Sequence, residues 1–130
     1  MVAAMSQGRE AALRAAYEAN LSAGFVDDPA HYGPYLDTVL SLRVPAPVIQ
    51  LQLMAAAKFD TSTRVGELEM PVLIVHGTAD EMIPVSNGHR LARQLPDASV
   101  ELLDGVGHLF WWEQPDISAE LIRAHAKRQR

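Results

Sequence analysis

Two residues of this chain have the type and the placement for proton-relay chemistry, Asp80 and His108. Asp80 closes the run Pro71-Val-Leu-Ile-Val-His-Gly-Thr-Ala-Asp80, and His108 closes Asp104-Gly-Val-Gly-His108. A carboxylate beside an imidazole fixes the tautomer of the ring and stabilises the imidazolium formed when it takes a proton. The pair needs a nucleophile to act on a carbonyl. A Ser in a Gly-x-Ser-x-Gly turn would supply one, and only Ala4-Met-Ser6-Gln-Gly8 approaches that pattern, with Ala4 in place of the first Gly. Such a turn joins a buried strand to a helix. Only Met1 to Ala4 is available for the preceding strand, and no buried strand follows before the helical segments end. Ser6 is therefore expected in a loop or cap ahead of the first helix.

The elements that must position the pair are strands. Val72 to Val75 is a short continuous apolar run between Pro71 and Gly77, the pattern of a strand buried on both faces of a parallel sheet. Ser86 to Leu95 predicts a helix with Leu91 and Leu95 on one face, stopped by Pro96-Asp97. Ser99 to Leu103 is a second, less apolar strand, expected at an edge. Ile117 to Lys127 predicts a closing helix with Pro115 near its first turn and Leu121, Ile122 and Ala126 inward. Strand, helix, strand, helix implies a right-handed crossover and a parallel pair. Ligands of open α/β sheets bind outside the carboxyl ends of the strands. That geometry brings Asp80 and His108 to one rim although they lie 28 residues apart. Gly105 and Gly107 permit backbone angles and a close chain path that other residues resist.

The first half reads as helices. Gly8 to Ser22 is Ala-rich with Leu13, Tyr17 and Leu21 at four-residue spacing, and Gly24 is expected to end it. Asp28-Pro29 opens a second helix, with Tyr32, Tyr35, Leu36, Val39 and Leu40 as its buried face. A third runs from Pro47 to Lys58 and is apolar nearly all round, so cover on more than one side is expected. The fold class is thus α/β: a helical region over residues 1–65, then a parallel β-α-β-α unit over residues 66–130.

Other reactive side chains have plainer readings. His76, at a strand end beside Gly77, is expected to be structural. His89 lies on the crossover helix, and His31 and His125 read as surface residues. No pair has the spacing of a chelate, so no metal or cofactor site is expected. Phe110-Trp111-Trp112 is expected to pack the final helix more than to line a pocket. Glu113 is read as support for the loop or helix start. Met82 and Ile83 are placed to touch substrate, and Pro84 to shape the turn.

Composition narrows the class further. Of 130 residues, 48% are hydrophobic and 21% charged, ordinary for a globular domain, and the formal net charge is −5. The one basic run, Lys127-Arg128-Gln129-Arg130, suits a helix C-terminus, and nucleic acid is not expected as a partner. The absence of cysteine removes disulfides, thiolate zinc sites and a cysteine nucleophile. No signal-peptide h-region and no bilayer-spanning run of roughly 20 apolar residues is present. A cytoplasmic protein with no membrane partner is expected.

Gly77-Thr-Ala-Asp80-Glu-Met-Ile-Pro84, Gly105-Val-Gly-His108 and Glu113-Gln-Pro115 together resemble the C-terminal third of an α/β-hydrolase. The likeness spans about Leu68 to Ala126 and is nearest to bacterial lactonases, esterases and cofactor-free haloperoxidases. It implies that Asp80 is the triad acid and His108 the general base, and that the helical half is similar to a cap. It also implies a nucleophile, oxyanion-hole loop and further strands ahead of the cap. The expectation is a truncated or partial serine hydrolase of ester or lactone type, inactive as this chain alone. The alternative is a non-catalytic oligomeric or interaction module. Epoxide hydrolases and dehalogenases share the layout with an Asp nucleophile. The first strand would lack a neighbour on one side, so a homo-oligomer or a complementing chain is expected.

Overall fold

A computed structural model of the chain describes residues 2–42 and 44–128. The helical half begins with α1 (Val2–Asn20), which starts earlier than the apolar stripe from Gly8 implied. Alanine has the highest helix propensity, and the Ala-rich start extends the helix back past the stripe. Ser6 accordingly lies within a helix and not in a loop ahead of one. The helix ends at Asn20 and not at Gly24, because Ser22 takes an extended backbone and caps a one-turn helix α2 (Ala23–Val26). Its hydroxyl accepts from the Phe25 N–H.

Asp28 opens the next element in the same way. Its carboxylate accepts from the Ala30 N–H at 2.9 Å, and Pro29 begins a 3₁₀ turn, Pro29–His31, that leads into α3 (Tyr32–Leu42). Tyr17, Leu21 and Tyr35 form the core of this half, with Tyr17 fully buried. Tyr17 meets Tyr32 and Tyr35 edge-on, ring centroids 5.0 and 4.9 Å apart. Tyr32 and Val39 pack against that core as expected, whereas Leu40 is exposed. The helix α4 (Ala46–Lys58) follows Pro45. The cover expected for it is largely missing among the described residues: Val48, Ile49, Leu51, Leu53 and Met54 are 40–67% exposed.

In the second half β1 (Val72–Gly77) and β2 (Ala98–Leu103) pair in parallel, in register from Val72 with Ala98 to Gly77 with Leu103. The helix α5 (Val85–Gln94) connects them. A four-residue helix α6 (Phe110–Glu113), too short to leave a period, precedes α7 (Pro115–Arg128). Among the described residues the sheet has two strands, so β1 is paired along one edge only. The burial expected on both of its faces is reached only at Ile74 and Gly77. A groove of about 670 Å³ runs along Met70 to Val75, bordered by Leu91, Phe110, Ile122 and His125. Ile122, expected inward, is 56% exposed there, and Ala126 is exposed too. No single helix among the described residues is long and apolar enough to cross a membrane.

Candidate active site

The loops after the two strands are tied together before either reaches its reactive residue. The Thr78 N–H donates to the Leu103 carbonyl at 3.0 Å, and the Ala79 N–H to the Val106 carbonyl at 2.9 Å. The Thr78 hydroxyl accepts from the Gly105 N–H at 2.8 Å and donates to Asp104 Oδ1 at 3.1 Å. Gly105 turns the second loop with a φ of +69°, a left-handed conformation that side chains resist.

This framework brings the two expected residues together. His108 Nδ1 donates to Asp80 Oδ2 at 2.8 Å. The other carboxylate oxygen, Oδ1, accepts from the Met82 and Ile83 N–H groups, each at 2.9 Å. Asp80 therefore caps its own turn and orients the imidazole at once. Its side chain is 5% exposed, that of His108 27%. Burial pushes the Asp80 carboxyl up. The Ile83 N–H, the His108 ring and the Met82 N–H outweigh burial and hold it below the usual carboxylate value. An ionised acid accepts at Oδ2, so the Nδ1 of His108 is the donor, and in the neutral ring the lone pair is then on Nε2. Among the described residues nothing hydrogen-bonds to that nitrogen. His108 borders a cleft of about 200 Å³ with Asp80, Ile83, Phe110 and Trp111. Met82 does not border it and is exposed. Phe110 and Trp111 thus border the pocket, while Trp112 packs on Tyr35 with ring centroids 5.8 Å apart.

The His108 loop is fixed from the other side by Glu113. Its Oε1 accepts from the Ser22 N–H at 2.7 Å and the Gly107 N–H at 2.9 Å, and its Oε2 accepts from the Ser22 hydroxyl at 2.6 Å. The Leu109 N–H adds a bond to the Asn20 carbonyl at 3.0 Å. Gly107 is required here: a Cβ would stand 2.6 Å from Ser22 N and 2.8 Å from Glu113 Oε1. The expected supporting role of Glu113 is met. Its partner Ser22 was missed, though a Ser three residues before Phe25, in a segment following one helix, is a cap signal. His76 is structural in the sense expected, donating from Nε2 to the Ile83 carbonyl at 2.8 Å. His31 is half-buried, stacked on Phe25 with centroids 3.8 Å apart. Among the described residues no three His, Asp or Glu side chains are grouped to hold a metal ion.

The family model of serine aminopeptidases, S33, matches residues 12–115. The chain belongs to this family of α/β-hydrolases. The match takes in part of the helical half as well as Asp80 and His108. The 2-hydroxy-6-oxo-6-phenylhexa-2,4-dienoate hydrolase of Burkholderia cepacia is 29% identical over 69 residues, which are 53% of this chain and 24% of that protein. Among solved structures, BpoC of Mycobacterium tuberculosis H37Rv, named as a non-heme bromoperoxidase, superposes with a TM-score of 0.82 at 20% identity. The superposition covers 93% of this chain and 46% of that one. Est816, titled an N-acyl homoserine lactone degrading enzyme, matches with a TM-score of 0.64 at 24% identity over 94% of this chain and 49% of its own. The chain thus spans about a quarter of the curated relative and about half of each solved structure.

Two consequences are measurable. Glu113→Ala removes three charge-assisted bonds and strands two buried N–H groups, so urea unfolding is expected to show a loss of about 3 kcal/mol. Glu120→Ala, on the exposed side of α7, is expected to stay within about 0.5 kcal/mol. The lowered Asp80 value means that the folded state favours the ionised carboxyl. Its stabilisation is complete above the unfolded value near pH ~3.9 and is lost as pH falls through the lower folded value. Asp80→Asn is therefore expected to be less stable than the parent at pH 6 and to lose less further stability on acidification below about pH 4.

Proposed function

We propose that this chain carries the acid and the general base of a serine hydrolase that cleaves a small ester or lactone by acyl transfer. The observation that supports it most is the 2.8 Å bond from His108 Nδ1 to a buried, ionised Asp80, with Nε2 left unpartnered among the described residues at the edge of a cleft. In this reading a serine Oγ attacks the substrate carbonyl while His108 Nε2 takes its proton. Asp80 stabilises the imidazolium so formed. The proton passes to the leaving alkoxide, and a water deprotonated at the same Nε2 then releases the acid. The helices of the first half serve as the cap. The dienoate hydrolase marks a second substrate class to test.

In the same proposal the serine comes from outside these 130 residues. It belongs either to a longer form of the polypeptide or to a complementing chain. The helical backbone at Ser6 is unlike a strand-to-helix elbow, and the relatives are longer than the matched region. The bare edge of β1 and the exposed apolar face of α4 favour association, either with that segment or with another copy. This also supports the second reading, a non-catalytic interaction module.

The test pairs a fluorophosphonate probe with sedimentation. The chain alone is expected to be unlabelled and to sediment as an oligomer. A form extended by the upstream coding sequence, or mixed with a complementing hydrolase segment, is expected to label at a serine. His108→Ala is expected to cut its esterase kcat/KM by about 10⁴-fold. Labelling of the chain alone that Ser6→Ala abolishes would return the nucleophile to this chain. Extended forms that bind but never label would leave the interaction module, and a monodisperse monomer with β1 protected from hydrogen exchange would remove the association.

A further inference from the structure

Asp80 is approached by a second imidazole, and the relay described above does not use it. His76 is the fifth residue of β1, with a side chain 11% exposed. Its Nε2 lies 2.8 Å from the Ile83 carbonyl and 3.4 Å from Asp80 Oδ2. A carbonyl only accepts, so Nε2 carries the ring hydrogen and that hydrogen faces both oxygens. The bonds form a chain from one imidazole to the other. His76 holds the Ile83 carbonyl, the Ile83 N–H holds Asp80 Oδ1, and Asp80 Oδ2 holds His108 Nδ1. On its far side the ring is received by Gly88 of α5, where an added Cβ would stand 3.1 Å from His76 Nδ1.

We propose that His76 is a positioning residue for the general base. By anchoring the Ile83 end of the Asp80 turn and flanking Oδ2, it fixes which carboxylate oxygen meets His108, and so which ring nitrogen of His108 is left basic. The carboxylate is otherwise free to rotate about its own bond within the turn and offer His108 a poorer geometry. Two donors of fixed direction on Oδ1 and a third beside Oδ2 remove that freedom. The catalytic consequence rests on the serine-hydrolase reading. The positioning itself does not, and is measurable on this chain with no nucleophile present.

The test is the tautomer of each histidine, read from ring nitrogen shifts by long-range ¹H–¹⁵N NMR on the full chain at a pH where both rings are neutral. Wild type is expected to show His76 as the Nε2–H form and His108 as the Nδ1–H form. His76→Gln places an amide nitrogen near the Nε2 position and is expected to keep His108 in the Nδ1–H form. His76→Asn is too short to reach the Ile83 carbonyl and is expected to shift His108 toward the Nε2–H form, as Asp80→Asn does. A wild-type His76 in the Nδ1–H form overturns the proposal without any variant, which covers the case of an Asn variant that does not fold. A folded Asn variant whose His108 signals match wild type while Asp80→Asn moves them overturns it as well. In an active extended form, His76→Asn is expected to lower kcat by roughly ten- to a hundredfold with KM little changed, and His76→Gln to restore it. If no extended form is active, the tautomer result still decides the role of His76.

Discussion

The Glu113 carboxylate is the constraint on which the site depends. It accepts from a backbone N–H of the His108 loop, from a backbone N–H at the α1–α2 junction, and from the hydroxyl at that same junction. A single carboxylate, held on a one-turn helix, thereby fixes the chain path of both halves of the molecule at one point. The strands alone would not do this. They deliver Asp80 and His108 to one rim, but a loop leaving a strand has conformational freedom costing about 1–2 kcal/mol per residue to remove. Charge-assisted bonds at three donors supply the fixing energy locally. The Gly107 backbone can enter only because no side chain stands between it and Ser22.

Beyond that clamp the relay is assembled from short-range turns. Asp80 accepts from residues two and three positions ahead, which is the ordinary habit of Asp in turns. The carboxylate that shapes the turn is the one that orients the base. Seen alone, the turn explains the residue without any chemistry. The second oxygen does something the turn does not require, because it reaches a histidine 28 positions away.

This division explains what was legible in the sequence. Asp80 and His108 stand a few residues past apolar strand runs, with glycines beside them, so local pattern plus crossover geometry placed both. The helix of four residues at Phe110 left no period to detect. Ser22 and Glu113 lie 91 positions apart, and neither has a local pattern naming the other. Periodicity also reports the demand for cover and not its presence. The all-round apolar α4 and the continuous apolar β1 were expected to be buried on several sides, yet among the described residues α4 is largely exposed and β1 mostly half-buried. The chain corresponds to about half of each superposed structure.

The clamp also gives the helical half a mechanical meaning that its sequence did not suggest. Leu109, adjacent to His108, donates to the last residue of α1, and Gly107 on the other side shares Glu113 with Ser22. Both backbone neighbours of His108 are therefore anchored on the end of one helix and the cap of the next. A displacement of α1 against the sheet cannot leave His108 in place without breaking bonds to a charged group. Tyr35, packed on Trp112 of the same short helix as Glu113, resists that displacement through buried aromatic surface. The end of α1 and the His108 loop thus share one anchor, so a shift of one carries the other.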